Sequence, residues 1–179
     1  MLYNSYILKE KEIGSIFEMT NLFNACLLYR ASLDGFESQK FHNKCDGVEN
    51  TLTIIQDNFN NVFGGYTSAR WTSDSSYLAD STAFIFSLRR AGVSCRNKFN
   101  IKNDQYAILG NLNYGPIFGI YDLLIKDKSN LHTGSCSILF HVYDRPLEYS
   151  ELNSHLVSSL SSNFNSWLTT DIEVYQIYK

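Results

Sequence analysis

The chain has 179 residues and a formal net charge of −3, with 15 Lys and Arg against 18 Asp and Glu. This length suffices for one domain with its own apolar core, and the acidic balance is not the basic one typical of nucleic-acid-binding proteins. The composition is poor in charge and rich in aromatics, with 12 Phe, 12 Tyr and 2 Trp, which favours β-structure.

The first part of the chain predicts two helices on either side of a strand. Apolar residues recur at helical spacing over residues 5–20, which predicts an N-terminal helix. Residues 26–31 form a short apolar run typical of a strand, and residues 34–35 mark a turn. Residues 36–45 predict a short second helix, which the Asp-Gly pair after them ends.

The middle of the chain predicts an antiparallel hairpin. Residues 51–57 and 61–67 are β-rich runs separated by an Asn-rich turn. Gly64 and Gly65 lie inside the second strand, where glycine is unfavourable unless a bulge or a close backbone approach requires it. A polar loop is expected at residues 72–76.

The rest of the chain contains mostly strand candidates. These are residues 82–88, 105–109, 116–121, 123–126, 137–143 and 172–178. Residues 91–104 and 127–134 are expected to be loops, and residues 151–160 a short helix.

Helices and strands do not alternate along the chain, which argues against a doubly wound parallel sheet. The pattern predicts a mostly β, α+β fold, namely a two-sheet antiparallel β-sandwich with flanking short helices. We expect a single domain over residues 1–179. Within it, residues 1–20 form an N-terminal helix and residues 25–178 form the sandwich, with one early and one late short helix.

The sequence also predicts the compartment. It has no run of 18 apolar residues that could cross a membrane, and residues 9–12 are charged where a secretory signal needs an apolar core. The four cysteines have spacings that match no metal motif, so buried, reduced thiols are expected. We therefore expect an intracellular, cytoplasmic protein with no membrane insertion, no nucleic-acid partner, no metal and no cofactor.

The search for catalytic motifs favours a binding module over an enzyme. The sequence has no Gly-x-Ser-x-Gly elbow and no Ser-x-x-Lys. Cys45 follows His42 by three residues, so both lie on one helical face and a thiol nucleophile stays open as an alternative. A core thiol beside a helix-surface imidazole is the commoner arrangement. A small hydrolytic enzyme that uses an unrecognised Ser is a further alternative.

Three aromatic residues flank the polar loop at residues 72–76. Tyr66, Trp71 and Tyr77 could stack on a ligand or sugar, or contact a partner. A ligand- or glycan-binding sandwich is therefore another alternative, although strand aromatics more often belong to the core.

A collinear series of segments resembles the TLDc domain family over nearly the whole chain. The segments are residues 27–36, 41–46, 50–55, 61–67, 80–88, 114–119, 122–123 and 171–175. The residues singled out in them are Leu28, Tyr29, Arg30, Asp34, Gly35, Phe41, Cys45, Asp46, Phe63, Gly64, Gly65, Asp80, Phe84, Phe86, Gly115, Phe118, Gly119, Asp122, Glu173 and Val174. The chain departs from the family pattern at residues 24–26, where the family often has Trp, and at residues 120–121, where a glycine-rich stretch is usual.

The resemblance implies a fold and a function. It implies two antiparallel sheets with flanking helices, protection against oxidative stress, and binding to peripheral subunits of the vacuolar proton-pumping ATPase. It brings no established catalytic residue or cofactor, so we expect a non-catalytic interaction module.

Two charged residues in these segments have physical interpretations of their own. Arg30 is expected to pair with Asp34, Asp46 or Glu173. Glu173 is expected to point away from its apolar strand neighbours, exposed to solvent or to a partner.

Overall fold

The computed structural model describes residues 2–21, 24–138, 141–144 and 167–178. The helices are α1 (Glu10–Thr20), α2 (Ala31–Asp34) and α3 (Ser38–Cys45), with 3-10 turns at Leu2–Asn4 and Asp104–Tyr106. The strands are β1 (Asn24–Arg30), β2 (Thr51–Asp57), β3 (Val62–Thr67), β4 (Asp74–Leu78), β5 (Phe84–Arg90), β6 (Val93–Asn100), β7 (Ile108–Asn111), β8 (Tyr114–Phe118), β9 (Leu123–Lys126) and β10 (Thr169–Tyr178).

The strands form two antiparallel sheets, as the sequence predicts. One sheet has six strands in the order β1-β10-β2-β3-β5-β6, and the other has four in the order β4-β7-β8-β9. Because β10 pairs with both β1 and β2, the C-terminal strand lies inside the larger sheet.

The larger sheet is buried on both faces. One face packs against the smaller sheet through an apolar cluster that includes Phe63, Ile85 and Phe118. The opposite face contributes Phe86, Tyr175 and other apolar residues to a second cluster, which α1 and the segment before it cover. This double burial explains why β2 and β10 are buried along almost their whole length, without alternation of buried and exposed residues.

The predicted hairpin is confirmed, and so is the close approach at its glycines. β2 pairs with β3 in antiparallel register, with Ile54 opposite Gly64. A Cβ atom at Gly64 would lie 1.9 Å from the carbonyl oxygen of Thr53, and one at Gly65 would lie 2.7 Å from the Phe118 ring.

The N-terminal helix is shorter than predicted, because α1 begins only at Glu10. The Ser5 hydroxyl accepts hydrogen bonds from the backbone N–H groups of Ile7 and Leu8, which turns the chain before the helix starts. The Glu12 carboxylate then accepts a bond from the Lys9 N–H at 2.8 Å, which caps the first turn.

Two predicted loops contain strands. Residues 72–76 overlap β4, and residues 91–104 overlap β6. Both strands lie at the edge of a sheet and are mostly exposed, so they lack the apolar pattern by which strands are predicted.

The predicted strand at residues 137–143 is wrong within the described residues, where Tyr143 makes a single bridge to Ile101 and no strand forms. The reason is the buried Asp122 carboxylate, which accepts bonds from the backbone N–H groups of residues 141–143 at 3.0–3.3 Å. The predicted helix at residues 151–160 lies outside the described residues.

Strands β7 and β8 differ from the strands predicted there in the residues at which they start and end. The strand predicted at residues 105–109 starts at Ile108, after a 3-10 turn. The strand predicted at residues 116–121 ends at Phe118, because Gly119 and Tyr121 adopt left-handed backbone angles, with φ of 67° and 66°.

All four cysteines are free thiols. Cys45 and Cys136 are buried as predicted, but Cys26 is exposed and Cys95 is half-buried. No helix in the described part of the chain is long and apolar enough to cross a membrane.

Candidate interaction surface

The apolar residues that carry the family resemblance lie in or against the two apolar clusters. Tyr29, Phe41, Cys45, Phe63, Phe118 and Val174 belong to the cluster between the sheets. Phe84 and Phe86 belong to the cluster under α1. Leu28 packs against the first cluster from its edge. These residues therefore hold the layers together.

Arg30 and Glu173 form an ion pair inside the larger sheet, so the expected exposure of Glu173 is wrong. Glu173 is 0% exposed, and its Oε1 lies 2.9 Å from both Nε and Nη2 of Arg30. Glu173 is buried because β10 is an interior strand and the segment before α1 covers its outer face. Of the three partners expected for the Arg30 side chain, Glu173 is the one that forms the ion pair in the structure.

The Glu173 carboxylate also fastens the N-terminal segment. It accepts bonds from the Ser5 hydroxyl at 2.5 Å, the Tyr6 backbone N–H at 2.8 Å and the Tyr175 phenol at 3.1 Å. Burial raises the pKa of the Tyr175 phenol and the nearby Glu173 charge raises it further, so this phenol remains a donor.

Asp34, the second expected partner, contacts the backbone of Arg30 instead of its side chain. Asp34 accepts a bond from the Arg30 N–H at 2.9 Å and lies 3.2 Å from the Lys44 ammonium. Gly35, with φ of 107°, then ends α2. Asp46, the third, pairs with His42.

A groove of about 720 Å³ lies beside this ion pair at the β1 edge of the sheet, and we call it the β1 groove. The groove is lined by Asn4, Tyr6, Ala25, Cys26, Leu27, Arg30, Tyr175 and Tyr178. The Arg30 guanidinium stacks over the Tyr6 ring, 3.7 Å from its centroid.

The rim of the β1 groove is apolar and aromatic. Tyr6 is 70% exposed, Tyr178 is 49% exposed and Leu27 is 36% exposed. Among the described residues that line the groove, Arg30 is the one that carries a charge, and Glu173 compensates it. Exposed aromatic side chains, in a patch whose charges are all paired, are typical of the centre of a protein–protein interface.

Sequence reasoning missed this surface. Tyr6 was expected inside a helix, and Leu27 and Tyr178 lie far apart in the sequence. The pairing of β1 with β10, which places Asn24 opposite Tyr178, brings them together.

The aromatic surface predicted from Tyr66, Trp71 and Tyr77 does not form. Trp71 is 0% exposed, and its indole N–H donates to the Thr51 hydroxyl at 2.8 Å. Tyr66 is half-buried and stacks on Phe84 in the larger sheet, whereas Tyr77 lies on β4 of the smaller sheet. The three rings therefore do not form one binding face.

His42 and Cys45 share a face of α3 as predicted, but His42 is buried and does not lie on the helix surface. Its ring nitrogens lie within hydrogen-bonding distance of Asp46, Asn111 and Tyr114. Burial, together with the charges of Asp46 and Asp34, raises the pKa of the Cys45 thiol. A nucleophilic cysteine needs the opposite shift, so this geometry does not support the thiol-enzyme alternative.

The remaining predicted residues lie in turns or at close packing contacts. Asp80 is buried and its Oδ2 accepts bonds from the Thr67 hydroxyl at 2.7 Å and the Ser68 N–H at 2.5 Å, while its Oδ1 accepts from the Thr82 N–H at 2.8 Å. At Gly119 a Cβ atom would lie 2.2 Å from the Asp122 carboxylate. A Cβ atom at Gly115 would lie 3.2 Å from the Ile125 side chain.

Asp80 makes stability depend on pH. Burial by itself would raise the Asp80 pKa, but hydrogen bonds from Thr82, Thr67 and Ser68 outweigh it and lower the pKa. A carboxyl whose pKa is lowered by folding stabilises the folded state at pH values above its unfolded pKa, which is about 3.9. This contribution is lost as the pH falls through the pKa of the folded state. We expect Asp80→Asn to lower the free energy of unfolding by about 1–3 kcal/mol at pH 7.

The measurement is chemical denaturation of both proteins at pH 7 and pH 3. The difference between them should shrink at pH 3, because pH 3 lies below the unfolded pKa of about 3.9, where the contribution of the charge is already falling. A difference that is equal at both pH values would contradict the role given to the charge.

Within the described ranges, no group of three or more His, Cys, Asp or Glu side chains is arranged to hold a metal ion. A family model described as TLDc domain matches residues 1–178. A search of curated proteins finds no match to the chain.

Proposed function

Because the chain belongs to the TLDc domain family, whose members are generally protein-interaction modules, we propose that it is a non-catalytic module that binds a protein partner through the β1 groove. We propose peripheral subunits of the vacuolar proton-pumping ATPase as that partner and the cytoplasm as the place of binding. We take residues 1–179 as one such domain.

The observation that carries this proposal is the β1 groove at the sheet edge. It combines the exposed side chains of Tyr6, Leu27 and Tyr178 with a volume of about 720 Å³. A rim of this kind can bury aromatic and aliphatic anchors of a partner, which contribute most of the binding energy in protein interfaces.

Protection against oxidative stress is proposed to act through the partner. The reactive form of cysteine is the thiolate. Burial raises the pKa of Cys136 to about 11 and also raises that of Cys45, so neither buried thiol is suited to scavenge oxidants near neutral pH.

The test is a binding titration of the purified protein with purified peripheral ATPase subunits. We expect binding below tens of micromolar, and we expect Leu27→Ser to weaken it about tenfold, because losing one buried aliphatic anchor costs about 1.4 kcal/mol of binding free energy. No binding at tens of micromolar would contradict the proposed partner.

Leu131→Ser is the matched control. Leu131 is 68% exposed and lies outside the β1 groove, so its replacement should leave the affinity unchanged. Equal weakening by both replacements would contradict the groove as the binding face. In cells challenged with peroxide, Leu27→Ser should lose the protection that Leu131→Ser keeps.

A further inference from the structure

His42 lies between the two sheets. It is on α3, which packs against β1 of the larger sheet and β8 of the smaller one. Its side chain is 3% exposed and packs edge-on against the Phe41 ring. The protonation of this imidazole therefore bears on how α3 joins the two sheets.

Both ring nitrogens of His42 face hydrogen-bond acceptors. Nε2 lies 2.9 Å from the backbone oxygen of Asn111 and 3.0 Å from that of Tyr114. A backbone carbonyl can only accept, so Nε2 carries a proton. Nδ1 lies 2.8 Å from Oδ1 of Asp46, and an ionised carboxylate likewise only accepts.

A neutral imidazole cannot satisfy this arrangement, because it has one N–H and one lone pair. With the proton on Nε2, the lone pair of Nδ1 would point at the Asp46 carboxylate. The other carboxylate oxygen, Oδ2, accepts a bond from the Ser73 hydroxyl, which favours the ionised form of Asp46.

We propose that folding fixes His42 as an imidazolium with a proton on each nitrogen, so that α3 is joined to the smaller sheet by a proton-dependent link. Nε2 binds the turn between β7 and β8, and Nδ1 binds Asp46 at the end of α3. Asp46 in turn binds Ser73, just before β4. Loss of the Nδ1 proton replaces an ion pair by a repulsive contact and loosens this link.

Several ionisable groups that are close in the chain to His42 or to the residues it binds have partners of their own. Lys44 pairs with Asp34 at 3.2 Å, and the Cys45 thiol is kept neutral by the raised pKa noted above. Asp74, next to Ser73, binds the hydroxyls of Thr72 and Ser76.

On the smaller sheet, Lys126 of β9 lies opposite Tyr114, and its ammonium lies 3.5 Å from the Thr133 backbone oxygen. The Tyr114 contact with His42 is through its backbone oxygen.

The direct test is nitrogen NMR of the histidine rings in the native protein at pH 7.5. A free imidazole has lost its second proton there, since its usual pKa is about 6.5. We expect both nitrogens of His42 to give protonated shifts, with the exposed rings of His132 and His141 as references in the same spectrum. A bare Nδ1 in His42 would overturn the proposal, and this measurement needs no variant of the pair.

A second test uses the pH dependence of folding. If the folded state holds a proton that the unfolded state releases, the folding equilibrium constant falls by up to tenfold for each pH unit over the range in which the two states differ by that proton. Asp46→Asn removes the carboxylate, and its amide can donate to a neutral Nδ1, so its folding constant should lose this dependence. Ser73→Ala leaves the pair in place and should keep it. Equal slopes in wild type and Asp46→Asn would overturn the proposal.

Discussion

Replacing Glu173 with Gln is expected to lower the free energy of unfolding by about 3–5 kcal/mol, the usual cost of removing one partner of a buried ion pair. Arg30 would keep its charge in a site where its side chain is 5% exposed. The neutral amide also replaces a carboxylate oxygen that accepts from Ser5 and Tyr175. Urea denaturation at pH 7, followed by circular dichroism, measures the loss.

The control for Glu173 is the exposed ion pair between Arg70 and Glu49, at 3.3 Å. Its side chains are 67% and 50% exposed, so Glu49→Gln should cost less than about 1 kcal/mol. Replacing Arg30 and Glu173 together with leucine should cost less than Glu173→Gln alone, because no charge is then left uncompensated. Equal losses for Glu173→Gln and Glu49→Gln would show that the pair does not hold the sheet.

A second buried ion pair fastens the other end of the N-terminal region to the same sheet. Arg89 of β5 binds the Glu12 carboxylate of α1 through Nε and Nη2, each at 2.8 Å. Nη2 also donates to the Ile7 backbone oxygen at 3.0 Å. Together with Arg30 and Glu173, this pair ties α1 and the segment before it to opposite halves of the sheet, so we expect the region to unfold with the sheet and not before it.

The sequence predicts those parts of the fold whose signals are local. The runs at residues 51–57 and 61–67 are rich in β-forming residues and flank an Asn-rich turn, and they form β2 and β3 almost to the residue. The Asp-Gly pair at residues 34–35 is predicted as a turn, and in the structure it ends α2, a short helix that the sequence does not predict. Here hydrophobic pattern and turn chemistry agree, which makes a segment predictable.

Prediction from the sequence fails where tertiary packing determines which residues are buried and which strands pair. Glu173 was expected to be exposed because strand neighbours alternate, but both faces of β10 are covered. Trp71 comes directly before a predicted polar loop and still fills the core beside Phe41 and Phe118. The β1 groove depends on strand pairing between the two ends of the chain, and no local pattern reports such a pairing.

Gly64→Ala is expected to have the largest effect of any small substitution proposed for this chain. The new Cβ would lie 1.9 Å from the Thr53 carbonyl oxygen and 2.9 Å from the Phe86 ring. Thr53 is a backbone neighbour in the paired strand β2, so it cannot move away without breaking the pairing of β2 with β3. We expect a loss of more than about 4 kcal/mol, which is exceptional for one substitution, measured by urea denaturation or by failure to fold.

Two other glycines make the interpretation falsifiable even if Gly64→Ala does not fold. For a Cβ at Gly65 the nearest atoms belong to the Phe118 ring, at 2.7 Å, and a ring can shift, so Gly65→Ala should cost about 1–3 kcal/mol. Gly14 lies in α1 with nothing within 4 Å of a new Cβ, so Gly14→Ala should instead raise the free energy of unfolding by about 0.5–1 kcal/mol. The same chemical change then has opposite signs at Gly14 and Gly64, because the helix surface leaves room for a methyl group and the β2–β3 contact does not. A Gly64→Ala protein as stable as Gly14→Ala would contradict this account of the hairpin.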